Sequence, residues 1–156
     1  MKANKKNAAK TRTQYATLPW RPGPDGAIEI LLITSRETRR WVIPKGWPIK
    51  NLTPPQAAAR EAFEEAGVEG DVGTTPLGSY RYDKQLPRSK TQAVIVQIFA
   101  LRVQTEHAKW PEMAQREKRW VSAIEAAQLV DEPELKALIG AIDPAVLLPS
   151  GTPERP

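Results

Sequence analysis

Three glutamates, Glu61, Glu64 and Glu65, fall within five positions of the stretch REAFEEAGV. On a helix, Glu61 and Glu65 are i,i+4 neighbours and Glu61 and Glu64 are i,i+3, so their carboxylates can converge on one face. Like charges at those spacings cost about 0.2–0.5 kcal/mol per pair when exposed, and more when partly buried. Arg60 stands i,i+4 from Glu64, but one guanidinium does not neutralise three carboxylates. A hard divalent cation does. Mg²⁺ prefers oxygen ligands, keeps several waters and takes one or two carboxylates together with substrate phosphate. Taken alone, the cluster suits a solvated acidic helix face better than a metal site, so the flanking residues have to decide.

Composition narrows the chemistry. The 156 residues, 40% of them hydrophobic, suit one domain with a real core. No cysteine is present, which excludes disulfides, zinc–thiolate clusters and cysteine nucleophiles. With His107 the sole histidine, a Ser-His-Asp triad would rest on one residue in a polar stretch, and a multi-histidine metal site is excluded. Carboxylates must carry any acid–base or metal chemistry. The net charge of +5 is local. Lys2, Lys5, Lys6, Lys10 and Arg12 lie in residues 1–12 without an acid, and the other 18 bases balance the 18 acids. This leader lacks the apolar run of a signal peptide, no later run has the length of a membrane span, and a cytoplasmic protein is the expectation. A short solvated tail is its plainer reading, contact with an anionic partner the sharper one.

The elements that must position the carboxylates follow from local signals. Thr53 can cap a helix, Pro54 suits its first position, Gln56 completes a capping box, and Gly67 supplies the stop, which predicts a helix over 54–66. Before it, AIEILLIT (27–34) reads as a mostly buried strand after the turn RPGPDG, and WVI as a short strand stopped by Pro44. After it, QAVIVQIFALRV (92–103) reads as a central strand and KRWVSA as a further short one. AIEAAQLV and PELKALIGAI have helical spacing. Interleaved strands and helices predict a mixed α/β domain over 13–142. Residues 1–12 are read as a flexible leader and the proline-rich 143–156 as a loosely ordered tail.

Gly46, thirteen intervening residues, and then Arg60-Glu61-Ala62-Phe63-Glu64-Glu65-Ala66-Gly67-Val68 together resemble the Nudix box, G-x5-E-x7-R-E-U-x-E-E-x-G-U with U apolar. Nearly every fixed position is met. Leu52 departs from the pattern at its first glutamate, which in the family braces the motif through the arginine, and Ala62 stands where a larger aliphatic is usual. KTRT near the start, TSR, RRWVIPKG and QREKRWVSAIEAA extend the likeness over residues 10–140. Together they resemble the diphosphoinositol polyphosphate phosphohydrolase branch, which also cleaves diadenosine polyphosphates.

The resemblance implies an α/β/α sandwich with a mixed central sheet, and hydrolysis of a pyrophosphate bond by in-line attack of a metal-activated water. It implies Mg²⁺ or Mn²⁺ held by Glu61, Glu64 and Glu65, with the Gly46 carbonyl as a further ligand and Arg60 behind them. Glu61 or Glu65 would assist deprotonation of the water. Glu112 is the candidate for an additional carboxylate from a later loop. The cations around the box are Arg36, Arg39, Arg40 and Lys45 before it and Arg88 and Lys90 after it. Arg36, Lys45 and Lys90 match the branch best, Arg116 less well, and about half of all these cations should be solvated surface charge. Trp41 and Trp120 are expected in the core, and Trp47 in loop packing. The partner expected is a small polyphosphorylated molecule. The competing readings are an RNA 5′-pyrophosphohydrolase, favoured by the basic leader, and a ligand-binding module that has lost turnover.

Overall fold

The computed structural model describes residues 10–147. Within them, eight strands form one sheet: β1 (Arg12–Pro22), β2 (Ile28–Thr34), β3 (Trp41–Val42), β4 (Lys45–Gly46), β5 (Val68–Val72), β6 (Gly78–Leu86), β7 (Lys90–Glu106) and β8 (Lys118–Ser122). The order is β3-β2-β1-β7-β5, with β4 on β1, β6 on β7 and β8 on β2. β1 and β7 run parallel, from Arg12 opposite Val94 to Trp20 opposite Arg102. Every other described pairing is antiparallel, so the sheet is mixed.

β2 shows why the sheet is covered on both sides. Ile30 and Leu32 pack with Ala126, Leu135 and Ile139 of helices α2 (Ala123–Leu129) and α3 (Pro133–Gly140). Their neighbours Leu31 and Ile33 point the other way, to Ala62 and Ala66 of helix α1 (Pro54–Ala66). A strand buried on both faces has no polar side to show, hence the unbroken apolar run ILLI. The α/β/α sandwich follows.

Helix α1 starts and stops where its local chemistry dictates. The Thr53 hydroxyl accepts from Gln56 N at 3.3 Å while the Gln56 side chain accepts from Thr53 N at 2.9 Å, and Pro54 opens the first turn. Gly67, at φ 71°, ends the helix with its N–H on Phe63 O. Four buried alanines, Ala57, Ala58, Ala62 and Ala66, let the helix approach the sheet closely. Ala62 in place of a larger aliphatic is part of that close contact.

The strand expected over 92–103 is β7, longer at both ends and flanked by β1 on one side and by β5 and β6 on the other. β1, β5 and β6 have no counterpart among the expected strands. β1 takes in Arg12, the last residue read as leader, and residues 1–9 lie outside the described residues. From the stretch read as tail, Pro144–Leu147 forms a turn of helix, α4, which buries Leu147 against Trp20 and Ala100; residues 148–156 lie outside the described residues. Trp41 and Trp120 pack against the core as expected. Within the described residues no helix is long and apolar enough to cross a membrane.

Candidate active site

The chain brings Glu61 and Glu65 to the sheet through the short strand β4. Lys45 N donates to Glu65 Oε1 at 3.3 Å. At Gly46 a Cβ would overlap the Glu61 carboxylate, so only glycine allows the backbone to lie against it. The two carboxyl groups lie close enough for each to shift the titration of the other.

A second element holds this pair from behind. The segment following β7 caps the C-terminal end of α1, whose last carbonyls have no partner within the helix. Glu112 N donates to Glu64 O at 3.0 Å, Trp110 Nε1 to Glu65 O at 3.3 Å, and Lys118 Nζ to Ala66 O at 2.9 Å. The Trp110 ring fills the space beside Gly67 and carries Lys118 over its face at 4.3 Å. This capping turns Glu112 towards the glutamates of α1. Arg116 then links both elements: Nε donates to Glu112 Oε1 at 2.8 Å, NH1 to Thr34 O at 3.0 Å, and NH2 lies 3.8 Å from Glu65 Oε2.

These groups open into a cavity of about 730 Å³ lined by Gly46, Glu61, Glu65, Glu112, Arg36, Arg40, Lys45 and Arg116, among others. Burial drives the electrostatics. It pushes the Glu65 carboxyl up to about 8, against the opposing pull of Arg116 and Lys45 and with the help of Glu61. Burial also raises Glu61, with Glu64 and Glu112 adding repulsion, and lowers the Lys45 ammonium, which Glu65 partly offsets. Each group is thus driven towards its neutral form.

The donor set fits a hard divalent cation. It consists of carboxylate oxygens, and the Gly46 backbone passes a carboxylate at a distance that a side chain would forbid. Among the described residues no three acidic or histidine side chains already converge as a chelate. Glu61 and Glu65 form the converged pair, with Glu112 across from them in the same cavity. Glu64 adds its charge to Glu61 but does not line the cavity.

Of the expected phosphate-binding cations, Arg36, Arg40, Lys45 and Arg116 line the cavity. Arg40 is also tied to Asp131 and Glu132. Arg39 is not brought in; it donates to Gln115 O and pairs with Glu117, outside the cavity lining. Lys90 is exposed at the start of β7, outside the cavity lining. Arg60, expected behind the glutamates, is exposed and makes no ion pair among the described residues, consistent with Leu52 standing where its acidic partner would be. His107 packs edge-on against Phe63, away from the cavity. Gln14, Lys84 and Trp47 line the cavity without having been expected there. Tyr82 joins them from β6, its hydroxyl donating to Gln14 Oε1 at 2.8 Å. No strand was expected there, although the alternation of Tyr80 and Tyr82 with Arg81 and Asp83 is a period-2 pattern that could have marked β6.

Fold and site together define an α/β/α domain whose paired glutamates, Glu61 and Glu65, face a cavity of mixed charge. A profile of the NUDIX domain matches residues 19–140, and the chain belongs to the Nudix family. It is 36% identical over 115 residues to Nudix hydrolase 13, mitochondrial, of Arabidopsis thaliana, an alignment covering 67% of this chain and 54% of that protein. It is 35% identical over 74 residues to diphosphoinositol polyphosphate phosphohydrolase 3-alpha of Homo sapiens, covering 47% of this chain and 44% of that one. The chain thus spans about half the length of these curated relatives. The crystal structure of the C. elegans Ap4A hydrolase superposes with a TM-score of 0.59 at 21% identity, covering 84% of this chain and 95% of that one, a likeness of fold.

Proposed function

We infer that the chain hydrolyses a pyrophosphate bond in a polyphosphorylated small molecule, of the dinucleoside polyphosphate or diphosphoinositol polyphosphate class, with Mg²⁺ or Mn²⁺. The observation that carries this is the pair Glu61 and Glu65, set against the Gly46 backbone in a cavity that Arg36 and Lys45 also line. Glu61, Glu65 and Glu112, with the Gly46 carbonyl, would hold the cation, and Glu64 would join from the next helical position. When bound, a divalent cation neutralises pyrophosphate and makes a water nucleophilic near neutral pH.

The chain's own residues do the remainder. Arg36 and Lys45 bind phosphate oxygens and orient the anhydride for in-line displacement. Arg116 keeps Glu65 and Glu112 in place. The Glu61–Glu65 pair takes up the proton of the attacking water, as a coupled unit whose titration belongs to both groups. The reading is supported by membership in the Nudix family and by the named relatives.

The test is phosphate release from a diadenosine polyphosphate with Mg²⁺, comparing the wild type with Glu64→Gln and Glu65→Gln. Loss of a general base or metal carboxylate should lower kcat by about 100-fold or more. Equal, negligible rates for all three proteins, with ligand still bound, would leave a binding module instead of an enzyme.

A further inference from the structure

The N-terminal end of α3 reaches two walls of the cavity at once. Glu132, just before its first turn, accepts at Oε2 from Arg40 NH1 at 3.1 Å, and Glu134 Oε1 accepts from Arg81 N of β6 at 2.7 Å. Arg40 lines the cavity from the loop between β2 and β3, and the β6 residues Tyr82, Asp83, Lys84 and Gln85 line it from the other direction. α3 is anchored in turn to α2, where Lys136 Nζ donates to Ala127 O at 2.8 Å and to Gln128 O at 3.3 Å.

An acid at a helix N-cap usually accepts from the first turn of its own helix. Glu132 makes no such bond. Its side chain is turned to Arg40 instead and is only 11% exposed, against 66% for Asp131, the other acid on the same guanidinium nitrogen. Its second oxygen, Oε1, is buried without a partner among the described residues. Burying a carboxylate with one oxygen unsatisfied is unfavourable, and helix capping does not offset it here. What the position gains is a fixed Arg40. The loop holds the same residue from its backbone, since Ser35 N donates to Arg40 O at 2.8 Å and Arg40 N to Ser35 Oγ at 3.0 Å. With NH1 engaged, Nε and NH2 of Arg40 have no acceptor among the described residues. Those N–H groups are available to phosphate oxygens, and a guanidinium already held in place loses less side-chain entropy on binding.

We propose that Glu132 is a positioning residue for phosphate binding: it holds the Arg40 guanidinium through NH1, so that the remaining N–H groups meet the phosphate chain of the ligand. The inference rests on the hydrolase reading for the nature of that ligand. The opposite role for the same acid is to cancel the charge of Arg40 and weaken phosphate binding, and the two roles differ in sign.

Two conservative variants separate them. Glu132→Gln keeps the reach of the side chain and an oxygen to accept from NH1, but removes the charge. Glu132→Asp keeps the charge, is one methylene shorter, and suits the N-cap of α3 better than glutamate, which protects the fold. Calorimetric titration of the full chain in Mg²⁺ buffer uses a tripolyphosphate analogue with methylene groups in both bridges, which is not hydrolysed. Glu132→Asp should weaken its binding about tenfold, and Glu132→Gln should stay within about threefold of the wild type. In an Arg40→Ala background, Glu132→Asp should weaken it no further, because the effect passes through Arg40. With a diadenosine polyphosphate as substrate, KM rather than kcat should carry the loss in Glu132→Asp. Tighter binding by Glu132→Gln overturns the proposal in favour of charge cancellation. Wild-type affinity in Glu132→Asp, a loss that persists in Arg40→Ala, or a fall in kcat together with Mg²⁺ affinity overturns it as well. The absence of cleavage by the wild type, with the analogue still following this pattern, removes the hydrolase reading and keeps the positioning role. No binding of the analogue by the wild type removes both.

Discussion

Glu65 is the residue on which burial, charge and chemistry meet. It is 7% exposed, it accepts from Lys45 N, and burial holds its carboxyl at about 8 against an ordinary 4.5. The folded state therefore binds this proton more tightly than the unfolded chain, and the stabilisation is fully present below about 4.5 and lost as pH rises through about 8. In chelator, the melting temperature should fall between pH 6 and pH 9, and Glu65→Gln, which needs no proton, should flatten that decline. A slope that Glu65→Gln leaves unaltered in thermal scans would contradict this account. Mg²⁺ should raise the wild-type melting temperature more at pH 8 than at pH 6, because cation and proton compete for the same oxygens. Arg116 is the strongest of the groups opposing burial, so Arg116→Met should raise the Glu65 carboxyl further, which NMR titration of its side-chain carbon can follow.

Helix α1 is the element that delivers the carboxylates, and its two ends are secured differently. The start is local: Thr53 and Gln56 exchange hydrogen bonds within four residues, and Thr53→Ala should cost about 1 kcal/mol in urea unfolding. The end is tertiary. Trp110, Glu112 and Lys118 arrive from a distant segment to occupy its last carbonyls. At Gly67 a side chain meets both φ 71° and the Trp110 ring, so Gly67→Ala should cost more than Thr53→Ala and should also weaken Mg²⁺ binding by displacing Glu112. Equal losses in unfolding, with Mg²⁺ affinity unchanged in calorimetry, would uncouple the cap from the site. The N-terminal cap could be read directly from the sequence because each signal lies within one turn of its target. Nothing near residue 67 announces Trp110, which is 43 positions away.

At the scale of the whole molecule, the central sheet is covered on both faces, and adjacent residues of β2 serve different halves of the sandwich. Leu31→Ala and Leu32→Ala should therefore each cost about 2–5 kcal/mol in chemical denaturation, although one faces α1 and the other α2 and α3. A marked loss at only one of the two positions would mean a sheet with a solvated face. The sequence by itself determined a mixed α/β domain, the span and caps of α1, the buried run of β2 and the grouping of Glu61, Glu64 and Glu65, because periodicity and capping are short-range patterns, and the resemblance to the Nudix box implied the α/β/α sandwich. It concealed β1, whose two prolines argue against a central strand. Pro19 is tolerated because it falls between the residues paired with β4 and those paired with β2, where the ladder on that side is interrupted. Only the tertiary structure decided which cations face the cavity, that Glu112 and Arg116 brace Glu65, and that Trp47 forms a wall beside the acidic pair. Those outcomes depend on contacts between segments tens of residues apart, where packing and desolvation set direction and charge state, and neither is encoded in the neighbourhood of any one residue.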